Sequence, residues 1–493
     1  MKIDKGVGVF LILLSLVVYG TFLYLINPTL GNNLVRLIWV LSYALSLIGM
    51  ISFVFHRDPN NYPIPKGKII CIVPTYNENA ANLNSCIQSL LQQTLPIDHI
   101  YVVDDGSEAP VDLSEFGERV ELIRLEESKG KRNAVAIALS VIGTQHAHSV
   151  REEDCLIEDP GVLLGPSNPI DDLQEQIGLI PLEENQGKRS AQASVLGAID
   201  VKEYPFCLTV DSDSFLTPRA LEYMAREMHN PHVKACTATV LASNYSENLL
   251  TKIQDFNYGI ALSITRSSAR AFGLLDTTAG ACSLYRTEIV SYHLDDYLKH
   301  GERHPYGDDR RMALYSMMEG YGRFVPEAVV YTEVPDTFET LWNQRVRWAQ
   351  GVWSALPYFV TNLGASRSIF PLQTAILTLA FPVVFALMIY FSIASSPVWM
   401  LLYVSFIFLT TYSRALFYTV SRFEILSMSE VFGTNRKLKH FHSFWHREIL
   451  FRRLVDWIII SPLFVLFTHF VFVPVQYVAL YRLFRQNKGW GTR

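Results

Sequence analysis

Charge is scarce in this chain. Asp, Glu, Lys and Arg make up only 18% of 493 residues, and 42 basic against 47 acidic side chains leave a net charge of −5. No basic stripe lies outside the loops that flank apolar runs, which argues against nucleic acid as a partner. Cysteine is scarce too: Cys71, Cys86, Cys155, Cys207, Cys236 and Cys282 include no Cys-x-x-Cys. They are expected to be reduced thiols, several of them small apolar fillers in strands, and not a disulfide framework. His146, His148 and Cys155 lie near an acidic cluster, but their spacing matches no common zinc pattern. No small-residue cleavage site precedes Asn27, so the first apolar run is expected to be a retained span and not a signal peptide.

Apolar residues, by contrast, make up 49% of the chain, which places it among membrane proteins. Residues 7–26 and 37–55 form two apolar runs around a short polar turn, giving an N-terminal transmembrane hairpin within 1–57. Lys2 and Lys5 precede it and Arg57, Lys66 and Lys68 follow it, so the positive-inside bias puts both ends in the cytoplasm. Apolar character returns over 370–484, with a hairpin about Ser395-Ser396-Pro397 and a long run over 454–483. That run is too short for two full spans and too long for one untilted span; Pro462 and Pro474 within it leave a re-entrant or broken pair open. Arg414, costly in lipid, is expected to face a channel or the cytoplasmic edge. A basic loop near 436–453 and the tail 485–493 are expected inside.

Between the two apolar regions, residues 66–336 read as an α/β domain. Runs at 68–73, 99–103, 206–210, 233–240 and 325–331 look like buried strands, and 80–93 and 218–228 like helices between them. The alternation implies a largely parallel sheet. Residues 337–369 follow as interfacial amphipathic helices, with Trp342, Trp348 and Trp353 set among Arg345 and Arg347.

Four motifs in this order carry chemistry. Asp104-Asp105-Gly106-Ser107 and Asp211-Ser212-Asp213 each follow a strand, where open α/β sheets bind ligands. Either could be a plain turn, but two in one domain favour a site. Paired carboxylates suit Mn²⁺ or Mg²⁺, which take carboxylates together with phosphate oxygens. Gly307-Asp308-Asp309-Arg310 opens a helix expected over 310–319, placing its acids at the positive helix end, as a general base or as simple capping residues. Gln344-Arg345-Val346-Arg347-Trp348 suits a sugar and a pyrophosphate, or anchors an interfacial helix.

The ordered set of motifs resembles the processive membrane family 2 glycosyltransferases, and within them the hyaluronan synthases. Gly187-Lys188-Arg189-Ser190-Ala191-Gln192, Gly307-Asp308-Asp309-Arg310 and Trp490-Gly491-Thr492-Arg493 carry the likeness across the whole chain. The resemblance implies a cytoplasmic nucleotide-sugar-binding domain of GT-A type inserted between transmembrane segments of a multi-pass plasma (inner) membrane protein. It also implies roles for single residues. Thr75, Tyr76, Glu78 and Asp104 would contact uridine, Asp105 the ribose and diphosphate, and Lys188 the nucleotide. Asp211 and Asp213 would handle diphosphate and metal, and Asp309 would deprotonate the acceptor. Gln344 and Arg347 would meet the pyrophosphate, Trp348 would floor the acceptor sugar, and Trp490 and Arg493 would gate the site. The implied donors are UDP-N-acetylglucosamine, alone or with UDP-glucuronic acid, and the implied partners a growing polysaccharide and the lipid bilayer. Two stretches depart from the hyaluronan-synthase pattern: Thr278-Ala279-Gly280-Ala281 in place of a Cys-Ser-Gly-Pro-like run, and Ala349-Gln350-Gly351 after Trp348. A single-donor chitin, poly-N-acetylglucosamine or cellulose type of product therefore stays open.

Residues 122–142 repeat as 179–199, with Gly130-Lys131-Arg132 set over Gly187-Lys188-Arg189. This reads as a tandem duplication that leaves an insertion over 131–187, and the second copy, leading directly into the Asp211 strand, is favoured as the nucleotide turn.

Overall fold

The computed structural model of the chain describes residues 5–25, 30–104, 202–293, 306–427 and 442–485, with 107, 108, 111, 113, 116, 120–124, 296 and 297. The duplicated basic turns, the insertion, the 428–441 loop and the tail lie outside the described residues, as do Asp105, Lys188, Trp490 and Arg493.

Helices α1 (Lys5–Leu25) and α2 (Leu30–Phe55) come first. Strand β1 (Ile69–Thr75) follows, buried along its whole length. Helix α3 (Ala80–Leu91) starts where the Asn79 side chain accepts the Ala81 N–H at 2.9 Å, a side-chain cap of the orphan amides. Then come β2 (His99–Asp104), β3 (Val120–Arg124), β4 (Phe206–Val210), β5 (Ser214–Leu216), α4 (Ala220–Glu227) and β6 (Val233–Ala242). Helix α5 (Leu249–Ile260) runs through a π segment, Ala261–Arg266, into α6 (Ser267–Ala271). Strand β7 (Cys282–Arg286), α7 (Thr287–Tyr292), α8 (Asp308–Glu319) and β8 (Tyr321–Thr332) complete the α/β part.

The sheet has eight strands in the order β3-β2-β1-β4-β7-β6-β8-β5. Strands β3, β2, β1 and β4 are parallel neighbours, and so are β6 and β8. The expectation of a largely parallel sheet needs correcting, because β7 runs antiparallel to both β4 and β6, and β5 antiparallel to β8. Strand β5 has only three residues, and β3 and β7, although as long as β4, are interrupted as apolar runs by Glu121 and Arg124 and by Ser283 and Arg286. Side chains of β1, β2, β4 and β6 pack with α3 and α4 in one apolar core that includes Cys71, Cys86, Cys236 and Cys282, and these and Cys207 are buried free thiols.

Helix α9 (Phe338–Arg367) leaves the sheet from a Thr337 cap and kinks at Gly364. Helices α10 (Ile369–Ala394) and α11 (Val398–Ser427) form the expected hairpin. Helix α12 (His442–Phe467) joins α13 (Val473–Phe484) through a second π segment, Thr468–Phe472. Among the described residues three stretches are long and apolar enough to cross a membrane: Ile369–Ala394, Met400–Ser421 and Leu454–Phe484. The last is a continuous helical run of 31 residues and not a broken pair, about 46 Å at 1.5 Å per residue. Within α1 and α2, of 21 and 26 residues, the described apolar stretches are Lys5–Thr21 and Tyr43–Phe55.

The apolar helices and the sheet share a core. Met50 and Phe53 of α2, Leu241 of β6, Phe256 of α5, Phe417 of α11 and Phe464 of α12 belong to one buried cluster. Polar clamps cross the same boundary. His56 Nε2 lies 2.5 Å from Glu327 Oε1, Tyr418 Oη donates to Asp255 Oδ2 at 2.7 Å, and Lys252 pairs with Asp456 at 3.1 Å. Arg414, flagged by the sequence as costly, donates to Ser46 Oγ of α2 at 2.5 Å.

Candidate active site

The site lies at the carboxyl ends of β1, β2 and β4. Asp104 ends β2, fully buried and in register with Thr75 of β1. Its Oδ1 accepts the Ser107 N–H at 3.0 Å and the Ser107 hydroxyl at 2.6 Å. Ser107 Oγ in turn accepts the Asn77 N–H at 2.8 Å, and Asn77 Oδ1 accepts the Glu108 N–H at 2.8 Å. Asn77 has a left-handed backbone, φ 48°, that a short polar side chain tolerates. The loops after β1 and β2 are thereby knitted into one floor. Tyr76 stands exposed beside it, while the Thr75 hydroxyl is buried with no hydrogen-bond partner among the described residues.

Glu78 bridges to the second acidic motif, since Ser212 Oγ donates to its Oε2 at 3.1 Å. Asp211 opens a turn in which its carbonyl accepts the Ser214 N–H at 3.0 Å. Asp213 Oδ1 accepts the hydroxyls of Ser214 and Thr332, each at 3.1 Å. The Cys86 thiol is pushed well above its ordinary range, first by burial and then by the nearby charges of Asp213 and Asp211.

Asp309 enters from the opposite side. Helix α8 begins at Gly307, φ 80°, and the Asp309 carbonyl accepts the Thr278 hydroxyl at 2.9 Å, holding the helix start against the loop before β7. Gly280 of that loop is where the two acidic motifs meet. A Cβ there would lie 3.0 Å from Asp211 Oδ2 and 3.3 Å from Asp309 Oδ2. The same cavity is lined by Thr209, Asp211, Gly280, Tyr285, Asp308 and Asp309. Burial raises the Tyr285 hydroxyl above its ordinary range, and the Asp309 charge adds to this. The missing methyl at Gly280 thus keeps a space open between two carboxylates.

The Gln344–Trp348 cluster docks on the same helix start. Gly351 of α9 sits against Gly307, where a Cβ on either would stand 3.0 Å from the other's Cα. On the turn before it, Gln344 Oε1 is buried with no hydrogen-bond partner among the described residues, and Trp348 stays 42% exposed. Arg347 lies between them on α9, while Arg345 turns inward and is buried.

The structure therefore brings together Thr75, Glu78, Asp104, Asp211, Asp213 and Asp309, with Gln344, Arg347 and Trp348 on a helix fastened at Gly307. Sequence reasoning missed Ser212, Thr332, Tyr285 and Tyr258 as partners of these groups. Gly280 did carry a signal, being the one residue of Thr278-Ala279-Gly280-Ala281 that keeps the family's Cys-Ser-Gly-Pro-like run. Hard carboxylate oxygens around an open space fit a divalent cation whose sphere phosphate oxygens complete. Among the described residues no group of three or more His, Cys, Asp or Glu side chains could hold an ion by itself.

An eight-stranded mixed sheet with acids at the carboxyl ends of β2 and β4 is the arrangement of a glycosyltransferase domain of GT-A type, and the family comparisons agree. Residues 70–145 match glycosyl transferase family 2, and residues 206–412 match glycosyl transferase family group 2. A hyaluronan synthase from Streptococcus pyogenes serotype M6 is 26% identical over 98% of this chain and 96% of its own length. An N-acetylglucosaminyltransferase from Rhizobium meliloti is 29% identical over 58% of this chain and 56% of its own length. Among solved structures, a mannosyltransferase from Pyrobaculum calidifontis in complex with GDP-Man and Mn²⁺ is 13% identical, covering 86% of this chain and 97% of its own, with a TM-score of 0.41. The chain is a membrane-type family 2 glycosyltransferase, similar to hyaluronan synthases along nearly its full length.

Proposed function

We propose that the protein is a processive, inverting glycosyltransferase. It polymerises UDP-sugars into a β-linked polysaccharide containing N-acetylglucosamine and exports the chain through its apolar helices. The observation that carries this reading is the convergence of Asp211 and Asp309 on Gly280, a donor carboxylate and an acceptor-side carboxylate one methyl-sized space apart.

In this reading Thr75, Tyr76, Glu78 and Asp104 hold the uridine, Asp105 the ribose and diphosphate, and Lys188 of the second repeat copy the nucleotide. Asp211 and Asp213 would hold Mn²⁺ or Mg²⁺, which when bound offsets charge on the leaving diphosphate. Asp309 takes the proton of the acceptor hydroxyl as its oxygen attacks the anomeric carbon, and UDP departs from the opposite face. One displacement inverts that carbon, so an α-linked donor gives a β-linked product. Gln344 and Arg347 meet the pyrophosphate. Trp348, exposed beside this space, offers a flat apolar face to the acceptor pyranose. Trp490 and Arg493 reach back from a cytoplasmic tail to gate the site, and the catalytic domain lies on the cytoplasmic side of the plasma (inner) membrane.

The donor set is UDP-N-acetylglucosamine, with UDP-glucuronic acid as a second donor if the product is of the hyaluronan type. A single-donor polymer is favoured instead by Thr278-Ala279-Gly280-Ala281 and by the similarity to an N-acetylglucosaminyltransferase. Purified protein supplied with UDP-sugars singly and in pairs plus Mn²⁺, with products cut by linkage-specific hydrolases, separates the two. A long polymer from UDP-glucose alone would reject both, and transfer of one sugar to a lipid would reject processivity.

A further inference from the structure

We propose that Arg345 is a positioning residue that sets the pose of the Trp348 ring for the acceptor sugar, and that the last membrane helix takes part in setting it. This rests on the reading of Trp348 as the acceptor floor. Arg345 precedes Trp348 by three positions on α9, so the two side chains share a helix face. The guanidinium carbon lies 4.4 Å from the centre of the Trp348 ring, 5.2 Å from that of Tyr258 and 5.1 Å from that of Phe472. Tyr258 and Trp348 themselves stand 6.0 Å apart, 27° from parallel.

Arg345 is only 8% exposed, and its Nε and Nη2 are buried without a hydrogen-bond partner among the described residues. A buried guanidinium without a carboxylate is costly, and here three aromatic rings and a hydrogen bond with the Tyr258 hydroxyl supply the stabilisation that an anion elsewhere provides. An aliphatic side chain would fill this space at lower cost, so the charge is retained for what it does to the rings. It draws Trp348 and Tyr258 onto one cation and fixes the indole, part of which stays open to solvent. Phe472 belongs to the π segment that joins α12 to α13, a local geometry that recurs at functional sites. Val475 and Ala479 of α13 pack on Val346 and Ala349 of α9, so the helix that continues from the third wall of the box is in direct contact with the helix that carries Trp348. The acceptor platform is therefore tied to the membrane helices beside which the product must pass.

The test uses the full chain purified in detergent, with three readouts: polymer length, UDP released per sugar polymerised, and donor KM. Arg345→Met is expected to shorten the polymer and raise wasted UDP roughly threefold to thirtyfold, the span of a cation–π contact. Donor KM should stay within about twofold, because the donor contacts are untouched. Arg345→Lys should recover part of the length, and Arg345→Met placed on Trp348→Leu should add nothing further. If Arg345→Met folds poorly, Phe472→Leu removes one wall and keeps the charge, and shorter polymers are again expected. Normal length in Arg345→Met or Phe472→Leu, a raised donor KM, or a full additive loss in the double variant would overturn this inference alone. Normal length in Trp348→Leu would overturn the acceptor-floor reading and this inference with it.

Discussion

The two halves of the site are built differently. On the proposed donor side, the acids follow β1, β2 and β4 and are held by hydroxyls and amides close by: Asp104 by Ser107, Glu78 by Ser212, Asp213 by Ser214. On the proposed acceptor side, Asp309 and Trp348 stand on separate helices, α8 and α9, which touch where Gly307 meets Gly351 and pack further along through Leu314, Met317, Ala355 and Phe359, with the Arg311 guanidinium 4.3 Å from the centre of the Tyr358 ring. Short-range hydrogen bonds fix a rigid anionic cradle, as a diphosphate with its cation requires. Long-range packing leaves the proposed acceptor side in contact with the apolar helices, as the proposed processive reading would need.

The comparison can be broken at its strongest point by removing divalent ions. Excess chelator is expected to abolish turnover, and Asp213→Ala to lose about a hundredfold or more together with the metal response. Undiminished turnover in chelator would remove the cation from the donor half. Next in size is Gly280→Ala, which puts a methyl 3.0 Å from Asp211 Oδ2 where the halves meet. We expect kcat to fall by about ten- to a hundredfold at unchanged melting temperature, since displacements of about 1 Å cost that much. An active Gly280→Ala enzyme would mean that the halves do not converge there.

The donor half is sharpened by the two repeat copies. Lys188→Ala is expected to cost roughly 1.5–3 kcal/mol in donor binding, the range of a charge-assisted hydrogen bond. Lys131→Ala should be near neutral, and the reverse ranking would assign the site to the first copy. The smallest effect is expected on the acceptor side. Gly351→Ala pushes a Cβ to 3.0 Å from the Gly307 Cα, shifting α9 against α8. Synthesis should fall by several-fold, roughly 1 kcal/mol, with donor KM unchanged. An equal rise in donor KM would merge the two halves into one.

The donor half was the more legible in the sequence, for the same reason that it is compact. Runs of buried β-branched residues located β1, β2, β4 and β6 to within two residues, and an acid after a strand end needs no distant partner to be recognised. The helix start at Asp308 was also close to its expected place. What escaped were elements defined by their neighbours. Strand β7 has five residues and owes its existence to β4 and β6 on either side, and its antiparallel course turned an expected parallel sheet into a mixed one. Tyr258, on a helix some ninety positions before Trp348, gives no local sign that it stacks there. Gly280 was visible only as the one residue kept from a family run whose neighbours differ, and its meaning came from two carboxylates that the chain supplies from either side of it.

The central claim is that Asp309 belongs to the acceptor half although it lies beside the donor carboxylates. Calorimetric titration of purified Asp309→Asn with the donor sugar nucleotide and Mn²⁺, alongside a polymer assay on the same sample, tests it most directly. The account predicts donor affinity within a few-fold of the parent, roughly 1 kcal/mol or less, and no polymer. Donor binding lost in proportion to synthesis, in a variant that keeps its melting temperature, would contradict it and reassign Asp309 to the nucleotide or its metal.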